Sequence, residues 1–556
     1  MAYPRCGHFP MIEASAASNA KLPCASSARA ADARARPILI GLALAATAAA
    51  ARATGFTDIG QDIEAHDKGA GAWSVELGGY LRLRGALFDN LDLDRGPTPS
   101  GELFFPVPID DPTGQVLTAA DLRLRGDLAV YAPGGAIAVK TRLDLLDTAL
   151  GQDFEGTPSA TTGQAATPLA VRRAYAEVLT PVGLLAFGRM GAEWGLGMVA
   201  SGGDGLDDDA GDSADRIAFL TPLAGHIWAL AWDFGASFAG AARKTPGLTV
   251  GLAPSSDVEA LTFAVLKWYA PDARARRHAA GRTTLEYGLT ASWRWQDEDV
   301  PAAWLGGRAA VANVDASQVV ARNLGYGLAD AWLRVQSRDL RVEAEGAVLW
   351  GEIGQASLVP GVHLRGAITS LQWGAALESE LGRAESAVKV GLDLGVASGD
   401  PTPGFGAVPR GTNAPQAGDL DGPQASLPFD TRLDSFRFHS DYRIDRILFR
   451  EIIGTVTDAA YARPHLTWRL VGFDRGELLF ELAAVASMAL EASSTPGGAR
   501  GLGIEVDPTL VYRSTDGFVC ALEHAVLFPL AGLDNPALGL SAAPAQLLRV
   551  RLQVAF

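Results

Sequence analysis

Gln546-Leu547-Leu548-Arg549-Val550-Arg551-Leu552-Gln553-Val554-Ala555-Phe556 closes the chain. Leu548, Val550, Leu552, Val554 and Phe556 alternate with Arg549, Arg551, Gln553 and Ala555. A period of two gives a strand one apolar and one polar face. A single strand of this kind also fits a soluble β-sandwich, so the decision rests on whether the rest of the chain repeats it.

It does, in pairs joined tightly at one end and loosely at the other. Trp73 to Phe88 sets Val75, Leu77, Leu81 and Leu83 against Glu76, Tyr80, Arg82 and Arg84. Leu117 to Tyr131 turns at Ala132-Pro133-Gly134-Gly135 into Ala136 to Thr148. Leu169 to Thr180 turns at Pro181 to Gly183 into Leu184 to Glu193; Asp215 to Thr221 turns into His226 to Phe238. Asp257 to Ala270 passes through a basic turn ending at Gly281 into Arg282 to Trp295. Further pairs are Tyr326 to Gln336 with Leu340 to Trp350, His363 to Ser379 with Glu385 to Ala397, Ala459 to Val471 with Glu477 to Glu491, and Leu502 to Arg513 with Phe518 to Phe528.

The expected fold is all-β, a transmembrane antiparallel β-barrel of about 18 (16 to 18) strands. Nine longer loops lie on one side and eight short turns on the other, with both termini on the short-turn side. That arrangement and the even count are what a single-chain membrane barrel requires. A pair of sandwiches would have shorter strands. Trp73, Phe88, Tyr131, Trp194, Trp268, Tyr269, Trp293, Trp295, Trp350 and Phe528 fall near segment ends and suggest an interfacial aromatic girdle.

The amino-terminal part gives the address. Arg29, Arg34 and Arg36 precede Pro37-Ile38-Leu39-Ile40-Gly41-Leu42-Ala43-Leu44 and an alanine run ending at Ala51-Arg52-Ala53, the layout of a signal peptide cleaved after Ala53. Its apolar run of about 14 residues is shorter than the roughly 20 of a spanning helix. Met1 to Ala28 reads as an atypical extension or a mis-called start, and residues 54 to 72 as a short periplasmic segment before a barrel over residues 73 to 556. Past residue 53 only Cys520 remains, so no internal disulfide is expected.

Composition narrows the function. The chain carries a net charge of -16, which disfavours nucleic acid as a partner. Residue 53 is followed by no apolar run of helical spanning length, so a membrane is crossed by strands.

Polar faces of a barrel point inward. On the hairpin centred between Pro133 and Gly134, a direct register opposes Arg123 to Asp144, Arg125 to Arg142 and Asp127 to Lys140. Opposed unlike charges stabilise by roughly 0.2 to 1 kcal/mol, whereas a charge on the lipid face costs about 2 to 4 kcal/mol. Arg82, Arg84, Arg549 and Arg551 fall on the strands that must close the barrel, beside Glu76. With Arg123, Arg125, Lys140 and Arg142 they form a basic stripe that favours anionic or zwitterionic solutes. The competing reading pairs these arginines with wall acids such as Glu76 and Asp144, leaving the lumen wet and rigid.

Two connections stand out. The longest, Ser398 to Asp458, contains a Pro/Gly/Asp-rich loop and then Tyr442 to Gly454, apolar at helical spacing with a glycine stop. It could fold into the lumen, cap the mouth, or lie as an ordinary surface loop. The other, Asp204 to Asp212 followed by Asp215, is acidic, but its spacing is not that of an EF-hand. A solvated acidic loop is the expectation, with calcium as runner-up. No metal and no cofactor are assigned, and no hydrolase motif accompanies the eight histidines.

Arg172-Arg173-Ala174-Tyr175-Ala176-Glu177-Val178, followed by Gly183-Leu184-Leu185-Ala186-Phe187-Gly188-Arg189, resembles a porin hairpin. Trp73 to Pro97, Arg189 to Met198 and Tyr442 to Pro464 resemble a family of uncharacterised outer-membrane barrel proteins from myxobacteria, and the final strand resembles the closing strand of Gram-negative outer-membrane barrels. The porin resemblance implies that Arg173 and Arg189 face the lumen with the turn centred on Pro181; a register one residue away places Arg172 there instead. It also implies outer-membrane lipid as surroundings, recognition of the strand ending at Phe556 by the barrel-assembly machinery, and a homotrimer.

The function expected is passive diffusion of small hydrophilic, anionic solutes through an outer-membrane channel, with residues 398 to 458 as the constriction and no enzymatic activity. A plugged structural or adhesive barrel, and a barrel hydrolase, stand as alternatives.

Overall fold

The structure, a computed structural model, describes residues 72–108, 115–150, 169–235, 242–245, 248–250, 257–299, 319–357, 362–383, 385–406, 415–422 and 425–556. The expected signal peptide and the segment up to residue 71 lie outside the described residues.

Eighteen strands form one antiparallel sheet. In chain order come β1 (Ser74–Asp89), β2 (Val116–Tyr131), β3 (Ile137–Ala149), β4 (Ala170–Thr180), β5 (Gly183–Gly191), β6 (Ser213–Leu223) and β7 (His226–Gly235). A small hairpin, β8 (Ala242–Thr245) with β9 (Leu248–Val250), forms a sheet of its own. The large sheet resumes with β10 (Val258–Lys267), β11 (Thr284–Asp299), β12 (Val320–Gln336), β13 (Leu340–Ile353), β14 (Ile368–Leu381) and β15 (Val388–Ala397). It ends with β16 (Ala459–Phe473), β17 (Gly476–Ala489), β18 (Gly501–Ser514), β19 (Phe518–Pro529) and β20 (Ala545–Ala555). Each strand pairs with its neighbours in sequence, β7 with β10, and β20 pairs back onto β1.

Closure leaves the sheet without an edge. At the seam Arg84 faces Arg551 and Tyr80 faces Ala555. The Gly79 and Phe556 amides each donate to the other's carbonyl at 3.0 Å. Gly79 stands at φ +155, and a side chain there would collide with the Arg125 carbonyl, so only glycine admits the terminal residue.

The outward face is apolar. On β7, Leu230, Trp232 and Phe234 stand exposed and alternate with buried Ala229 and Ala231; on β10, Leu261 and Phe263 alternate with Ala260 and Ala264. Only hydrocarbon can cover such a belt on a closed sheet, and a closed antiparallel barrel of even strand number is the outer-membrane solution. The chain is an outer-membrane β-barrel.

Local corrections have physical causes. The β2–β3 pairing runs two residues beyond the direct register expected: Arg125 opposes Asp144, Asp127 opposes Arg142, and a bulge at Leu145 brings Arg123 opposite Asp147. The slip keeps every side chain on its face and gives each arginine an aspartate. The basic turn before Gly281 contains a helix, α1 (Pro271–Ala279), with proline in its first turn and Arg276, Arg277 and His278 in its last. Phe88, Tyr131 and Trp194 leave the expected girdle: the first two are buried on the inner wall, and the third belongs to a loop folded into the lumen. Trp73, Trp293, Trp350 and Phe528 do stand exposed, joined by Trp232, Trp373 and Trp468.

Candidate lumen constriction

The acidic loop between β5 and β6 does not lie in solvent. It crosses the lumen, its base fixed by the far wall: the Trp194 indole N–H donates to Asp330 of β12 at 2.9 Å, and the amides of Leu196 and Met198 donate to Glu345 of β13. Gly195, at φ +59, lies where a side chain would strike the Glu345 carboxylate. Small inward residues, Ala186, Ala218, Ala229, Ala231 and Ala264, clear an apolar floor against which Trp194 packs.

The loop's carboxylates then meet the basic wall. Asp209 pairs with Arg82 at 2.8 Å and Arg84 at 2.7 Å, and Asp207 with Arg84 at 3.1 Å. Asp204 pairs with Arg142 and, at 2.9 Å, with Arg173. Arg123 donates to the Asp208 carbonyl at 2.6 Å, and Arg125 to that of Gly203 at 2.9 Å. The wall adds its own acids: Asp121 to Arg84, Asp147 to Arg123, Asp144 to Arg125, Asp127 to Arg142 and Glu177 to Lys140.

Of the residues expected to line a pore, Arg82, Arg84, Arg123, Arg125, Lys140, Arg142, Arg173, Arg549 and Arg551 therefore stand on the inward face. Arg189 does not. It shares the outward face of β5 with exposed Phe187 and pairs with Asp215 of β6 at 2.8 Å, near the loop end of both strands. A two-residue turn at Pro181-Val182 fixes Arg173 inward, while Arg172 occupies a bulge and reaches Asp144 at 2.6 Å. Glu76 lies too far toward the turns to join the seam arginines and instead accepts from the Tyr131 hydroxyl at 3.4 Å.

The long 398–458 connection enters from the opposite side. Its helical portion is one π-helical turn, Leu448–Ile453, shorter than the apolar spacing suggested and ended by Gly454 at φ +100. Wall and loop carboxylates satisfy the amides that so short a turn leaves open. Glu505 of β18 accepts from Arg446 and Ile447 at 2.8 Å and from Leu448 at 3.0 Å; Asp445 accepts from Phe449 at 2.9 Å and Arg450 at 3.1 Å.

Arginines on this segment face the acidic loop. Arg443 pairs with Asp209 at 2.7 Å, Arg450 with Asp207 at 2.9 Å, and Asp441 accepts the amides of Asp209 and Ala210 at 3.0 and 3.2 Å. Burial pushes the Asp207 and Asp209 carboxyls up, but the surrounding guanidiniums outweigh it: Arg450, Arg551 and Arg443 at Asp207, Arg84, Arg443 and Arg82 at Asp209. Both acids lie below the ordinary carboxylate range and are ionised. Arg446 and Arg551 pair with Glu523 of β19 at 2.6 and 3.0 Å, and Arg549 with Glu451 at 2.7 Å.

Two polar cavities flank this knot. The one toward the loops, of about 440 Å³, is lined among others by Arg84, Asp121, Asp209, Asp441, Glu451 and Arg549. The one toward the turns, of about 220 Å³, is lined among others by Asp207, Arg463, Asp507, Glu523 and Arg551. Arg443 and Arg450 belong to the walls of both. Nothing in the sequence placed Arg443, Arg450 or the Asp207–Asp209 run at one point, because contacts between distant loops leave no local period.

No family model matches the chain, and no curated protein matches it. Among solved structures it is similar to the outer membrane protein OpdK from Pseudomonas aeruginosa, at 10% identity and a TM-score of 0.45, over 86% of this chain and 98% of that one. It is also similar to an anion-selective porin from Comamonas acidovorans, at 12% identity and a TM-score of 0.35, over 87% of this chain and 100% of that one. A third similarity is to the outer membrane channel DcaP of Acinetobacter baumannii, at 10% identity and a TM-score of 0.35, over 88% and 99%.

Proposed function

We propose that this barrel is a narrow outer-membrane channel for the passive diffusion of small hydrophilic anions. One observation carries the reading: a solute moving from the loop-side cavity to the turn-side cavity slides along Arg443 and Arg450, the two residues common to both walls. Guanidiniums between two cavities of a low-dielectric lumen raise the local concentration of anions and repel cations. The wall arginines extend the same field above and below.

The interlocked loops favour a second reading, a plugged barrel whose outer loops do the work. Conductance across a planar bilayer separates the two. The purified protein is expected to carry ion current, with a reversal potential in a KCl gradient that reports anion preference. The double variant Arg443→Gln, Arg450→Gln should lower the anion-to-cation permeability ratio by roughly tenfold. Current no greater than that of a protein-free bilayer sinks the channel, and cation preference sinks the role of the arginines. Export under a leader ending at Ala53, kinship with the myxobacterial barrels, assembly through the strand ending at Phe556 and trimerisation belong to the same proposal.

A further inference from the structure

We infer that the turn joining β10 to β11 is a docking site for an anionic phospholipid headgroup of the membrane leaflet that the turns face. The inference stands apart from the channel reading, because it concerns the outer rim of the barrel and not the lumen.

This turn differs from its neighbours in length and in charge. The β4–β5 hairpin turns on two residues, whereas this connection carries the helix α1. Between Lys267 and Arg282 it holds five Lys and Arg residues and a single carboxylate, Asp272, in a chain whose net charge is -16. Cations on the next two turns are paired, Arg338 with Glu385 at 2.8 Å and Arg383 with Asp339. Here Arg274 alone is, with Glu286 of β11 at 2.9 Å. Among the described residues Lys267, Arg276, Arg277 and Arg282 have no carboxylate partner, and Arg276 and Arg282 are exposed.

Position decides what meets them. Lys267 follows exposed Leu261 and Phe263 on the outward face of β10, at the even spacing of a strand. It opposes Tyr287, which shares the outward face of β11 with exposed Leu285 and Leu289. The lipid-covered surface thus runs to the turn-side ends of both strands. Arg282 stands three residues before Leu285, roughly 10 Å along an extended chain, at the level of headgroups and not of acyl chains. The Arg277 guanidinium lies over the Tyr269 ring at 5.0 Å, which fixes its plane, and its Nε is buried without an acceptor.

A phosphodiester supplies what these groups lack. Its oxygens accept from a guanidinium fork in pairs and from an ammonium as a point charge. A zwitterionic headgroup brings its own cation against the same four charges, whereas an anionic one brings net negative charge. Basic side chains held at a bilayer surface therefore draw anionic lipid, and this turn should sort lipids by headgroup charge.

Native mass spectrometry tests this, with the full chain released from detergent micelles holding equal amounts of dioleoylphosphatidylglycerol and dioleoylphosphatidylcholine. The unaltered barrel is expected to retain the first at least about tenfold more often than the second. The fourfold variant Lys267→Gln, Arg276→Gln, Arg277→Gln, Arg282→Gln should cut that preference to less than about twofold. Arg338→Gln with Arg383→Gln removes two cations that already have partners and should leave the preference within about twofold of its original value. Equal retention of the two lipids by the unaltered chain overturns the assignment. So does a preference that survives the fourfold change, or one that falls as far when the paired arginines are removed. Should the fourfold variant fail to give the heat-modifiable barrel on a gel, Lys267→Gln with Arg277→Gln takes its place, and a preference that this pair leaves untouched overturns the site. Retention needs no current, so it reads the same whether the lumen is open or plugged.

Discussion

Asp458 is the last residue before β16, and it ties two loop segments together. Its Oδ1 accepts the Glu491 amide at 3.0 Å, its Oδ2 accepts the Ser494 hydroxyl, and its carbonyl accepts the Leu490 amide at 3.2 Å. Burial pushes its carboxyl up to about 7 from an ordinary 3.8, despite these donors, and Glu491 adds to the rise. Between about pH 4 and 7 the folded chain thus holds a proton that the unfolded chain has released. The stability tied to this proton is full at the acid end and is lost as pH rises through 7. Amide exchange at Leu490 and Glu491, corrected for intrinsic rates, should therefore be slower at pH 5 than at pH 8, and Asp458→Asn should flatten the difference. A variant that keeps the full pH dependence would show that another group controls it. At this scale the sequence is legible wherever the period of two runs unbroken, as at Arg82, Arg84, Arg549 and Arg551. It misled at Arg189, because Met190 opposite a charge reads as apolar-out and charge-in, whereas Met190 is buried on the inner face; the partner Asp215 and exposed Phe187 reveal that Arg189 points outward.

Among the elements, all eighteen barrel strands could be read from alternation and turn residues, yet what the inner wall carries could not. Along β5 to β10 many inward positions are alanines rather than polar residues, Ala186, Ala218, Ala229, Ala231 and Ala264 among them, because a loop packs against the wall there. Small against large replaces polar against apolar, and a polarity pattern is blind to it. The Leu448–Ile453 turn makes the complementary point: its apolar spacing and Gly454 were visible, but the turn is too short to stand alone and depends on Glu505. Replacing Glu505 by alanine leaves three buried amides without an acceptor, each worth about 1 to 3 kcal/mol and not fully additive. The turn should loosen, and trypsin should cut the solubilised barrel after Arg446 or Arg450 faster than in the unaltered chain. Glu505→Gln, which keeps an acceptor oxygen, should restore most of the resistance. Equal cleavage of all three proteins would mean that packing of Leu448, Phe449 and Ile452 holds the turn without Glu505.

Across the whole lumen the charges lie in four layers of alternating sign. The arginines of β1 to β4 form the first, Asp204, Asp207 and Asp209 the second, Arg443, Arg446 and Arg450 the third, and Glu523 of β19 the fourth. Such a stack is cohesive only while it alternates. Ion partners more than 100 residues apart in sequence, such as Arg82 with Asp209, hold it together, which is why an acidic loop that seemed destined for solvent turns out to be a structural layer. Changing Asp207 and Asp209 together to asparagine removes most of the second layer and sets Arg82 and Arg84 against Arg443 and Arg450 across the gap. Two consequences follow from Coulomb's law in a lumen of low effective dielectric. The loops should separate, seen as a lower midpoint of thermal unfolding, and the reversal potential should move further toward anions, opposite in sign to the effect of Arg443→Gln with Arg450→Gln. Salt separates this cause from a packing defect: at 1 M ionic strength screening acts over about 3 Å, so the loss of midpoint should shrink if repulsion drives it and persist if lost hydrogen bonds do. A shift toward cations in the doubly neutralised channel would mean that these aspartates do not set the field that a permeating ion meets.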